Sequence, residues 1–100
     1  MSESNLSELS VIALIRGKHE SRATLVTLLR KVEKLTQQET GCISYELRVD
    51  IMNSDNFYFL GIWDSQSSLD AHNKTTHVLE LREAVNTLVE SIEVTRLSGV

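Results

Sequence analysis

Two short segments of the chain are apolar on both of their alternating faces. Val11-Ile12-Ala13-Leu14-Ile15 is an unbroken aliphatic run. Residues 57–63 carry Phe57, Phe59 and Trp63 on one face and Tyr58, Leu60 and Ile62 on the other. A strand with this pattern needs cover on both sides, which places it at the centre of a sheet. Residues 42–50 instead alternate, with Ile43, Tyr45, Leu47 and Val49 against Ser44, Glu46, Arg48 and Asp50. Residues 91–97 form a fourth strand in which Ile92 and Val94 share a face. One-sided strands of this kind suit sheet edges.

The segments between the strands read as helices. Leu25, Leu28, Leu29, Val32 and Leu35 make one apolar stripe within residues 20–40, and Arg22, Arg30, Lys31, Glu33 and Lys34 occupy most of the remainder. Gly17 allows a turn before this helix, and Gly41 stands where a C-cap glycine would end it. Ser65 can cap a short helix over residues 66–73. A second helix over 76–88 carries Val78, Leu81, Val85 and Leu88, with Val89 following. Asn53-Ser54-Asp55-Asn56 is a turn cluster that makes the second and third strands a hairpin.

The order β-α-β-β-α-β is the ferredoxin-like α+β arrangement, with a four-stranded antiparallel sheet. Its first and third strands lie at the centre, and these are the two double-faced segments. Helices can cover only one face of such a sheet. The other would expose Tyr58, Leu60, Ile62 and one side of the first strand, so a homodimer packed through that face about a two-fold axis is expected.

Composition narrows the function classes. At 100 residues and 41% hydrophobic, the chain reads as a single folded domain, with residues 1–5 expected as a loose terminus. The longest aliphatic run is far too short for a membrane span, and no secretory signal is visible. One cysteine, Cys42, leaves no intramolecular disulfide and no multi-cysteine zinc site. A net charge of −4 disfavours nucleic-acid and anionic-membrane partners. The reading is a reduced, acidic, cytoplasmic domain. Phosphate-cradling glycine loops and the G-x-S-x-G elbow are absent.

Among the residues that could carry chemistry, Trp63 shares a face with Phe57, Phe59 and Gly61. The glycine leaves a gap between two aromatics, where a cavity could form under the helices. Arg82 lies on or beside the inward stripe of its helix, suited to hold an anionic oxygen at the cavity rim. His72 follows Leu69 by three and shares its inward face, as a structural histidine or as a base. His77 opens the next helix. Five residues apart, the two histidines would be rotated by about 140° on a continuous helix. A break at residues 74–76 would let them converge, but no metal ligation is expected. His19 lies in an exposed turn, and Cys42 reads as structural.

At this point the sequence resembles a family. Gly41-Cys42-Ile43-Ser44-Tyr45-Glu46-Leu47, then Phe57-Tyr58-Phe59-Leu60 with Trp63 and Asp64-Ser65, then Leu69-Asp70-Ala71-His72 and His77 are similar to the antibiotic biosynthesis monooxygenase domain. Its loose pattern is G-x-x-x-Y-E, W-x-S, A-x-H and a second histidine. The resemblance covers roughly residues 11–97 and implies a dimeric α+β barrel. It also implies oxidation of a small aromatic quinol or anthrone by O₂ without a cofactor. On that resemblance, Trp63 lines the site and Arg82 stabilises the oxyanion; Phe59, Tyr45 and His77 are further candidates for contact with the substrate. Polyketide oxygenases of the family carry an asparagine where this chain has Phe59 and a tyrosine where it has Leu69, which leaves His72 as the expected base. Haem-degrading members place a tryptophan at the position of His72 and a histidine at that of Arg82, and both differ here. His72-Asn73-Lys74-Thr75-Thr76-His77 also resembles a stretch in members that process small phosphorylated signals, an alternative in which Lys74 and His77 meet the anion. A third reading is a non-enzymatic binder of a hydrophobic metabolite.

Overall fold

The computed structural model describes residues 8–100, so the expected loose terminus lies outside the described residues. Strand β1 (Leu9–Gly17) leads through a single 3-10 turn (His19–Ser21) into helix α1 (Arg22–Gln37). A hairpin of β2 (Cys42–Val49) and β3 (Asn56–Trp63) follows. Helices α2 (Gln66–His72) and α3 (Thr76–Leu88) then lead into β4 (Val89–Leu97). The four strands form one antiparallel sheet in the order β2-β3-β1-β4. The double-faced segments are therefore the central strands, as their pattern required.

Register sorts the side chains onto two faces. Leu9, Val11, Ala13 and Ile15 of β1 stand opposite Trp63, Gly61, Phe59 and Phe57 of β3, and this face lies under the helices. Ile12 and Leu14 stand opposite Leu60 and Tyr58 on the open face, with Ser10 opposite Ile62. The two open-face ion pairs, Arg16–Glu93 and Glu46–Arg48, flank this apolar centre. Among the described residues no helix is long and apolar enough to cross a membrane.

Four local expectations shift. Helix α1 stops at Gln37, and Gly41 instead turns the chain into β2 at φ 86°, where a Cβ would meet the Ser68 side chain at 2.0 Å. The buried stripe of α1 is Leu25, Leu29, Val32 and Thr36, which leaves Leu35 exposed. In β2 a bulge between Cys42 and Ser44 removes Ile43 from the inward set: Cys42 pairs with Trp63, and Ile43 is exposed. Gly17, expected in a turn, is the last residue of β1.

The outer side of edge strand β2 meets α1 through two side chains. The Glu33 carboxylate accepts the Leu47 backbone N–H at 2.8 Å, and Gln37 Nε2 donates to the Tyr45 carbonyl at 2.8 Å.

Candidate active site

Helix cover over the sheet is divided between one long helix and two shorter ones, and the shorter pair meets at a break. Ser65 Oγ caps α2 by accepting the Ser68 N–H. Thr75 then does two things: its hydroxyl donates to the His72 carbonyl at 2.8 Å and accepts the Val78 N–H at 3.4 Å. One side chain thus closes α2 and opens α3. The break changes the direction of the chain so that His72 and His77, five positions apart, approach to 6.1 Å between ring centroids.

Beneath α2 and α3 lies a cavity of about 380 Å³. Tyr45, Phe59 and Trp63 rise into it from the sheet, Leu69 and His72 from α2, and Leu81, Arg82 and Val85 from α3. Val11, Ala13, Ile92 and Val94 complete its apolar floor toward β4. The gap above Gly61 is not itself the cavity. Tyr45 fills it: a Cβ on Gly61 would lie 2.9 Å from Tyr45 Cδ1 and 3.2 Å from Trp63 Nε1. The glycine therefore admits the tyrosine ring, which stacks on Phe59 at 4.9 Å.

Burial sets the chemistry of the polar atoms here. Trp63 is fully buried, and its Nε1–H has no hydrogen-bond partner among the described residues. An unpaired buried donor costs about 1–3 kcal/mol. Desolvation, reinforced by the nearby Glu39, Cys42 and Glu33, pushes the Tyr45 phenol far above its ordinary range, so it stays neutral. Arg82 lines the cavity yet is exposed, and among the described residues it has no ion-pair partner. Its stem covers apolar wall while its guanidinium reaches the rim.

His72 packs against Trp63 at 4.7 Å between centroids. Its Nδ1 lies 3.0 Å from Glu39 Oε2, and His77 Nε2 lies 2.6 Å from the same oxygen. A carboxylate only accepts, so each of these nitrogens is assigned the hydrogen. His72 is then the Nδ1–H tautomer, and Nε2 is the nitrogen left with a free lone pair. His72 lines the cavity, whereas Glu39 and His77 do not. Burial lowers the basicity of His72, with Glu39 opposing that shift and His77 and Arg82 adding to it.

The structure thus brings Trp63, Phe59, Tyr45, His72 and Arg82 to one cavity. His77, expected at the substrate, stands behind His72 instead, because Thr75 turns α3 so that its first turn faces Glu39. Lys74 does not line the cavity; its neighbour Asn73 does. Glu39 is the participant that the sequence reading missed.

Comparison with known proteins agrees with this architecture. A crystal structure of an antibiotic biosynthesis monooxygenase is 30% identical with a TM-score of 0.86, covering 92% of this chain and 98% of that one. Rv0793 from Mycobacterium tuberculosis is 28% identical with a TM-score of 0.87, over 94% of this chain and 96% of that one. An uncharacterized protein of Synechocystis sp., sll1783, is 28% identical over 69 residues, which is 69% of this chain and 47% of that protein. The chain therefore spans about half the length of that curated relative. The sequence profile described as antibiotic biosynthesis monooxygenase matches residues 9–84, and on that match the chain belongs to the antibiotic biosynthesis monooxygenase family.

Proposed function

We propose that the protein is a cofactor-independent monooxygenase that oxidises a small aromatic quinol or anthrone-like phenol with O₂. The observation that carries this reading is the aromatic-walled cavity with one free imidazole nitrogen in its wall and two arginines, Arg82 and Arg96, at its rim. An electron-rich phenolate can reduce O₂ directly, so the protein need only deprotonate, orient and shield it. His72 Nε2 takes the phenolic proton, and Glu39 holds the resulting imidazolium in place through Nδ1–H. Arg82 stabilises the oxyanion, and Trp63 walls the ring of the substrate.

The ring carbon of the phenolate then bonds to O₂ and becomes a carbon-bound hydroperoxide. Loss of the remaining C–H proton with cleavage of the O–O bond yields a carbonyl and water. A CH₂ centre thereby becomes C=O, one oxygen atom enters the product, and no external reductant is consumed.

The same reading includes a homodimer. The open face has an apolar centre of Ile12, Leu14, Tyr58, Leu60 and Ile62 inside a rim of ion pairs, the anatomy of a protein interface. Light scattering should give twice the 11.3 kDa chain mass; a concentration-independent monomer mass would end the dimer.

The function is tested by O₂ uptake of chelator-treated protein with reduced naphthoquinols and anthrones, after subtraction of spontaneous autoxidation. Saturable uptake that is lost in Trp63→Ala and His72→Ala supports the oxygenase. Binding of these compounds with no uptake overturns it and leaves a carrier of hydrophobic metabolites.

A further inference from the structure

Glu39, His72 and His77 come from three places in the chain: the loop after α1, the last residue of α2 and the first turn of α3. Each offers one donor atom, and the three atoms lie within 4.8 Å of one another. Their side chains are 14%, 9% and 10% exposed, so water competes little for them. Both histidine nitrogens contact the Glu39 carboxylate, His72 Nδ1 through both oxygens and His77 Nε2 through one. Among the described residues no other side chain satisfies them. Two imidazoles and one carboxylate are a donor set suited to a borderline-soft divalent d-block cation.

Geometry permits the exchange of proton for metal. A tetrahedral ion about 2.0–2.2 Å from each donor needs the donors about 3.4 Å apart, so the 2.6 Å His77–Glu39 contact must open by about 0.8 Å while the two histidine nitrogens, within 4.8 Å, draw together around the ion. Glu39 lies in a loop and can supply the first movement, and rotation of the imidazole rings about their side-chain bonds supplies the second, on helix backbones fixed through Thr75.

We propose that Glu39, His72 and His77 form a chelating site for one divalent d-block cation such as Zn²⁺, and that filling it switches off the base. The metal takes the lone pairs of His72 Nδ1 and His77 Nε2. Each ring then carries its hydrogen on the other nitrogen. His72 thus presents Nε2–H to the cavity instead of a lone pair, and it can no longer accept the phenolic proton. The inhibitory half rests on the assignment of His72 as base; the binding half rests on the cluster alone.

The test titrates chelator-stripped protein with Co²⁺, followed by its visible ligand-field absorption, and then displaces that signal with Zn²⁺. One saturating ion per chain is expected, with affinity weakened about 10²-fold or more in Glu39→Gln and His77→Gln, a loss of about 2.7 kcal/mol or more. Far-UV circular dichroism and melting confirm that both variants are folded. Absence of a saturable signal overturns the site, as does a signal unchanged in folded Glu39→Gln. Zn²⁺ should also abolish O₂ uptake at the concentration that displaces Co²⁺. Uptake that persists with the site filled overturns the switch. A Co²⁺ site in a protein with no uptake supports the chelate and sinks the oxygenase reading instead.

Discussion

The helix-covered face of the sheet is built differently at its two ends. Toward the hairpin tip, Leu25 and Leu29 of the 16-residue α1 are fully buried, with Phe57 beside them and Arg22 stacked over its ring at 5.4 Å. None of Leu25, Leu29 and Phe57 touches the cavity. Toward the other end, α2 and α3 share the cover and meet at a break, and space remains between their side chains and Tyr45, Phe59 and Trp63. The first end buries aliphatic side chains; the other keeps an unpaired, buried indole N–H and an imidazole in the wall of a cavity. The long helix leaves a charged outer groove along the hairpin, lined by Arg22, Arg30, Glu33 and Arg48, whereas the two short helices leave an apolar cavity under their cover.

That contrast predicts that damage at the two ends reads out in different assays. The largest effect belongs to the open end: His72→Ala should lower turnover in O₂ uptake by about 10²–10⁴-fold, with its circular dichroism spectrum retained. An unchanged rate would remove His72 from the mechanism. Next is the closed end, where Leu29→Ala should cost about 2–5 kcal/mol in urea unfolding while the folded fraction keeps its turnover. Comparable losses in both assays for both variants would erase the division. Smallest is Gly61→Ala, where the added methyl presses on the Tyr45 ring at 2.9 Å. It should cost about 1–3 kcal/mol and raise KM more than it lowers kcat. A stability equal to that of the parent would show that Tyr45 moves aside freely.

The order of elements was legible because burial leaves a period in the sequence. Val11 to Ile15 and Phe57 to Trp63 announced the central strands, and Ser65 announced the start of α2. Trp63, Phe59, Tyr45, His72 and Arg82 could be assigned to a shared side from the same periods. What periodicity lacks is the phase of irregular positions. The bulge at Ile43 and the rotation of α1 from Leu35 to Thr36 each follow from contacts made by distant elements.

Glu39 was invisible for a related reason. It sits in the polar run Gln37-Gln38-Glu39-Thr40, where nothing separates it from a solvated loop, and it meets His72 across a separation of 33 residues. The one available signal was the need of two converging histidines for a common acceptor.

The Glu33 and Gln37 contacts to the outer side of β2 have a consequence for how the molecule behaves in a crowded solution. A sheet edge with free N–H and C=O groups recruits further strands, and strands added end over end grow without limit. Here the Leu47 N–H and the Tyr45 carbonyl are already occupied by a helix of the same chain. An incoming strand must first displace a carboxylate and an amide. Strand addition is thereby disfavoured at the β2 edge. Two side chains of one helix so guard one of the two edges of the sheet against fibre-like growth.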